Sequence, residues 1–324
     1  MAAKAAMLRR LELDVTRRLD GLVSGDYVAF AHGTGSEPAG ARAYGPGDDA
    51  RRIDWCLTAR ALTAQVRTTE ADRELETWVI ADRSPSLDFG TAEREKREVV
   101  LGAAAAFGSL GLRGGNRLGV IATGGDALLR IPARTGRVAL LAALAALYDT
   151  PRRELPPGPA ADLHAALMRV ERVQPRRGRI VVVSDFLEAS DWAVPLGRLA
   201  QRHQIIAVQV SDPREMDLPD VGMLTVIDAE TGRQLHVQTN SATLRERYAA
   251  AARQRDERIS GLIAESGAEH LRLSTDRDWL IDVARFVGRR RGARLPIRSV
   301  HSRAGTASMA STPSNSATTP KGDQ

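Results

Sequence analysis

Short apolar runs alternate along this chain with longer amphipathic stretches, and the alternation predicts the architecture. "LETWVIAD" (75–82), "NRLGVIATG" (116–124), "ALLRIPA" (127–133), "GRIVVVSDF" (178–186), "QIIAVQVSD" (204–212) and "EHLRLST" (269–275) have the length and Val/Ile/Leu content of strands. Between them lie helical patterns at 7–22, 92–112, 136–149, 161–173, 192–203, 242–265 and 276–290. "MLTVIDAETGRQLHVQT" (223–239) reads as a hairpin turning near Glu230–Gly232. Nearly all-apolar strands separated by helices imply a mostly parallel sheet covered on both faces, hence a doubly wound α/β fold.

Three regions follow from the same pattern. Residues 1–74 predict an N-terminal helix and an irregular, partly β lobe rich in Gly, Pro and charge. Residues 75–291 carry the strand–helix alternation, and residues 292–324 are Ser, Thr, Ala, Pro and Gly without periodicity, the composition of a disordered tail. Of the 324 residues, 43% are hydrophobic but only 4% aromatic, so the core rests on Ala, Leu, Val and Ile. No apolar run approaches the roughly 20 residues of a membrane span, and the charged amphipathic start lacks the apolar centre of a signal peptide. The single cysteine, Cys56, excludes an intrachain disulfide. These features place the expected compartment in the cytoplasm, with any membrane association peripheral and through partners. The net charge of +6 is carried almost wholly by Arg. The basic stretch Gly288–Arg303 has no interleaved aromatics to stack bases, so nucleic acid is not the expected partner.

Two predicted strands stop at an acidic residue: "WVIAD" at Asp82 and "IVVVSD" at Asp185. In a doubly wound sheet both carboxylates fall on the rim where ligands bind. Ser84 and Ser86 add hydroxyls at alternate positions of the first loop. Four oxygen donors suit a hard ion, Mg²⁺ above all. An Asp that ends a strand also starts turns and caps helices, so spacing alone leaves a polar turn as the other reading. Catalytic motifs are absent from the sequence: it has no P-loop, no zinc-type His pair, no Gly-x-Ser-x-Gly elbow, and no strand leading into the Gly-rich Gly33–Gly40. A Mg/Mn-dependent phosphoester hydrolase at the same rim is the enzyme alternative, with Asp88 as its nearby base.

"DRSPS" (82–86) resembles the Asp-x-Ser-x-Ser loop that opens the metal-ion-dependent adhesion site of von Willebrand factor A-type domains, and "VVVSDF" resembles the strand ending in that site's later aspartate. Upstream, Tyr44, Gly47, Asp48, Asp49, Arg51, Asp54 and Trp55 match the Tyr-x-x-Gly-Asp-Asp-x-Arg-x-x-Asp-Trp pattern of an uncharacterised bacterial family with such a domain, commonly encoded beside MoxR-type AAA+ ATPases. The resemblance implies a Rossmann-like von Willebrand A-like fold and a non-enzymatic interaction module. It further implies a cation at Asp82, Ser84, Ser86 and Asp185, and a MoxR-type ATPase as partner in assembly or remodelling of a complex. One ligand departs from the pattern: where such domains carry a threonine, this chain has Ala161, ahead of Asp162. Thr135 is a poor substitute because it precedes a different helix. Bottom-up, the Tyr44–Trp55 segment reads either as a structural lobe, tied by local ion pairs and anchored to the sheet by Trp55, or as a recognition surface.

Overall fold

The structure is a computed structural model, and it describes residues 2–22, 41–45, 53, 55–61, 63–67, 75–92, 94–124, 126–151, 162–188, 190–228 and 232–292. Its centre is a six-stranded sheet of β3 (Glu76–Ala81), β4 (Arg117–Ala122), β5 (Leu129–Arg134), β6 (Arg179–Ser184), β7 (Gln204–Ser211) and β10 (Glu269–Ser274). The spatial order is β10-β7-β6-β3-β4-β5. All neighbours pair in parallel except β4 with the edge strand β5. The predicted sheet is therefore mostly parallel, as the apolar runs require.

The side chains of each strand divide by parity, because successive residues point to opposite faces. Val79 and Ala81 join one core cluster and Trp78 and Ile80 the other. The first face is covered by α1 (Ala2–Leu22), α3 (Lys96–Gly111), α4 (Gly136–Asp149) and α8 (Trp279–Gly292); the second by α5 (Leu163–Val173), α6 (Ala193–Ala200) and α7 (Ala242–Ser266). α3 lies deepest: its Ala103–Phe107 run is buried throughout, and Gly102 admits the indole of Trp279, since a Cβ there would stand 2.4 Å from the ring. Small residues let this helix approach its neighbours closely, which is how a core with few aromatics reaches interior packing density.

The N-terminal lobe forms a separate two-stranded sheet of β1 (Ala41–Ala43) and β2 (Gln65–Arg67), followed in space by the short α2 (Trp55–Ala61). Trp55 does not anchor this lobe to the central sheet: it is 71% exposed. It opens a helix that packs against β2 rather than against the six strands, and this corrects the anchoring expectation. Gly47, Asp48, Asp49, Arg51 and Asp54 lie outside the described residues, as do Ala161, most of the hairpin turn and the stretch 293–324. The hairpin itself is present as β8 (Met223–Ile227) paired with β9 (Gln234–Gln238).

Chain order sets the location of the site. From β3 the chain moves outward to β4 and β5, then crosses back to β6 on the other side of β3 and continues to β7 and β10. The β3/β6 boundary is thus the topological switch point, where a crevice opens at the carboxyl ends of the strands. Beyond β4, Gly124 takes φ +80°, and a Cβ there would lie 2.0 Å from the Arg83 carbonyl oxygen. Only glycine fits a backbone approach this close at that φ. Gly124→Ala should therefore lower unfolding free energy by about 2–4 kcal/mol, read in urea denaturation, whereas Gly115→Ala, with open space around it, should cost clearly less.

Candidate functional site

All five parallel strands of the sheet run into oxygen-bearing side chains: Asp82 after β3, Thr123 after β4, Ser184–Asp185 at β6, Asp212 after β7 and Ser274–Thr275 at β10. Asp82 has no solvent exposure. One of its oxygens, Oδ1, accepts from the Ser84 N–H (2.9 Å) and the Thr123 hydroxyl (2.8 Å), and Oδ2 accepts from the Ser184 hydroxyl (2.6 Å). The directions of both hydroxyl bonds are fixed. Thr123 Oγ1 accepts from the Arg83 N–H and Ser184 Oγ from the Phe186 N–H, so each hydroxyl proton is left to point at Asp82. Three donors converge on a carboxylate built to be an acceptor. Burial, and then the nearby Asp185, nonetheless push its pKa above the usual carboxylate value. Neutral dipoles compensate the charge of Asp82 only in part.

Asp185 is compensated differently. Lys96, at the start of α3, has a fully buried side chain, and its Nζ donates to Asp185 Oδ2 at 2.8 Å and to Glu215 Oε1 at 2.5 Å. Burial works against the ammonium, but Asp185 and Glu215 outweigh it and hold the Lys96 pKa above its ordinary value. For Glu215 burial prevails over Lys96 and the shift is also upward. The other oxygen of Glu215 accepts from the Asp212 N–H. Asp212 in turn gathers the Thr91 N–H, the Thr91 hydroxyl, the Thr275 hydroxyl and the Arg214 N–H. Lys96 therefore joins two rim networks, one at Asp185 beside Asp82 and one at Asp212.

The structure brings Asp82, Ser84, Ser86 and Asp185 to one rim. Ser84 and Ser86 lie in the short 3₁₀ turn after Asp82, with their hydroxyl oxygens 3.0 Å apart. Two carboxylates and two hydroxyls are a hard-ion donor set, and Asp82, unlike Asp185, is met by N–H and hydroxyl donors and by no ammonium. Asp82, Ser84 and Ser86 fit a divalent cation on that ground; Asp185 stands beside them already engaged by Lys96. Among the described residues no three His, Cys, Asp or Glu side chains converge as a metal cluster, so any ion here would depend on the serine hydroxyls. Asp162 accepts from the Ala165 N–H and caps α5. Thr135 is at the wrong end of the sheet: it follows β5, which runs antiparallel and finishes at the opposite rim. Asp88 does not stand as a base, because Arg97 holds it at 2.7 Å.

Sequence reasoning missed Thr123, Ser184, Lys96 and Glu215. Thr123 and Ser184 carried a signal, each standing where an apolar run meets the rim; Lys96 carried none, lying among the charges of "EREKRE". Lys96→Met removes the ammonium while keeping most of the side-chain volume, and leaves Asp185 and Glu215 facing each other. It should cost about 3–5 kcal/mol of stability, measured by urea denaturation with circular dichroism.

An uncharacterized protein of Mycobacterium tuberculosis H37Rv is 47% identical over 290 residues, covering 89% of this chain and 90% of its own. Among solved structures, the conserved hypothetical protein BatB of Bacteroides thetaiotaomicron is 14% identical, with a TM-score of 0.44 over 68% of this chain and 98% of its own. The VWA domain of SpRpn10 is 13% identical, with a TM-score of 0.38 over 67% of this chain and 97% of its own. The sheet order and flanking helices make a doubly wound, mostly parallel α/β fold. The model of the family described as "Protein of unknown function DUF58" matches residues 40–258, and the chain belongs to that family.

Proposed function

We propose that this protein is a non-enzymatic interaction module that docks partners on the carboxyl-end rim of its sheet, through a divalent cation, Mg²⁺ by preference, held at Asp82, Ser84 and Ser86. The observation that carries the reading is the state of Asp82: a fully buried carboxylate with three neutral donors, no ammonium in contact, and two serine hydroxyls next to it. A cation bound there supplies positive charge to the rim and accepts a further oxygen from outside. The complementary group is an acidic side chain of a partner. The charge of Asp185 is answered by Lys96. The module's own residues position the loop and enclose the floor of the crevice. No helix of the described residues is long and apolar enough to cross a membrane.

The family resemblance points to a MoxR-type AAA+ ATPase as the partner, with the module recruiting it to a complex that is assembled or remodelled. The test is binding of a purified MoxR-type AAA+ ATPase, measured by surface plasmon resonance in Mg²⁺ and in EDTA. Wild type should bind in Mg²⁺ and lose at least about tenfold in EDTA, a loss of about 1.4 kcal/mol. A folded Asp82→Ala protein should bind weakly in both. Equal binding by wild type and Asp82→Ala would reject the cation-bridged docking.

A further inference from the structure

The hairpin between β7 and α7 takes no part in the central sheet. Its strands, β8 and β9, pair with each other alone and have no extensive contact with any other element. A lone two-stranded hairpin is marginal in water, and a third strand or a covered apolar face is what holds such a unit. Neither is supplied among the described residues. Met223 is 67% exposed and Leu235 57%, and Val226 and Ile227 are open to solvent as well.

The bonding of the hairpin fixes which groups are available. The Asp228 N–H donates to the Arg233 carbonyl (2.9 Å) and the Thr239 N–H to the Gly222 carbonyl (2.7 Å), so these are bonded pairs. Bonded and non-bonded pairs alternate along an antiparallel ladder. Met223, Thr225 and Ile227, which face Gln238, His236 and Gln234, are therefore the non-bonded ones, and their N–H and C=O groups point away from β9. No hydrogen bond among the described residues reaches them. The two outer edges differ in chemistry. β8 reads Met-Leu-Thr-Val-Ile, without charge, proline or glycine, whereas the outer edge of β9 carries Gln234, His236 and Gln238. Proteins blunt open strand edges with proline and charge. The central sheet does so at β5, where Arg130, Pro132 and Arg134 are exposed. β8 has no such protection.

We propose that β8 is a homodimer edge: the β8 strands of two copies pair antiparallel about a two-fold axis at Thr225, joining two hairpins into one four-stranded sheet. An open row of N–H and C=O groups is filled by another extended strand. An uncharged strand lies against its own copy without opposing like charges. With Thr225 opposite the partner's Thr225, Met223 falls opposite the partner's Ile227 and Leu224 opposite the partner's Val226. Each cross-strand pair is apolar or threonine on threonine, the kinds that stabilise a sheet. The strand is thus complementary to itself, as an isologous contact requires. Pairing through β9 would instead set His236 against the partner's His236 between glutamines.

The test is sedimentation equilibrium of the full chain, with each variant checked for folding by circular dichroism. Wild type should dimerise with a Kd on the order of 10 µM, the weak class that a small interface gives. Thr225→Lys and Thr225→Glu each place like charges across the two-fold and should weaken association by about tenfold or more. An equimolar mixture of the two should regain affinity, because opposite charges then face each other. Gln238→Lys, on the other edge of the same hairpin, should stay within about threefold of wild type. A wild type that is monomeric at about 200 µM, far above that Kd, overturns the proposal. So does wild-type association in Thr225→Lys, the absence of recovery in the mixture, or a loss in Gln238→Lys as large as in Thr225→Lys.

Discussion

One buried carboxylate organises the rim of this protein. Asp82 sits at the end of the central strand β3 and is sealed from solvent. A carboxylate in that position is expensive unless its oxygens are met by donors. The donors come from all three strands at the switch point: the Ser84 N–H from the β3 loop, Thr123 from the end of β4 and Ser184 from the end of β6. Those bonds dictate the local backbone. Arg83 must turn its N–H toward Thr123, the chain after β4 must pass close enough to Arg83 that residue 124 is glycine, and Phe186 must present its N–H to Ser184 while adopting a left-handed conformation.

The second organising element is Lys96. It places one positive charge between Asp185 and Glu215, and through Glu215 it ties the switch point to the Asp212 network at β7 and β10. A buried ion pair of this kind gives modest net stability, but losing one partner is costly. Its consequence for the rim is a division of labour: Asp185 is neutralised from within the fold, whereas Asp82 is met by N–H and hydroxyl donors alone.

The sheet was legible in the sequence because its strands are buried on both faces. Runs such as "RIVVVS" leave no helical alternative of comparable length, and "GRVALLAALAALYD" matches α4 residue for residue. Asp82 and Asp185 were legible for the same reason, as the points where apolar runs stop. What could not be read depended on tertiary direction. Nothing in the charge pattern of "EREKRE" says that Lys96 turns inward while Glu98 turns out. Trp55, a large aromatic in a polar stretch, suggested an anchor by its size, yet the helix it opens faces the lobe's small sheet, and the indole stays in solvent.

The most direct measure of whether Asp82 is the floor of a cation site is the thermal stability of the wild-type chain in excess Mg²⁺ against EDTA, beside that of Asp82→Asn. A ligand at about 100 times its Kd adds about 2.7 kcal/mol to the folded state, a rise of several degrees for a domain of this size. The account predicts that rise in wild type and its disappearance in Asp82→Asn. Identical melting of wild type with and without Mg²⁺, or an equal rise in both proteins, would contradict it.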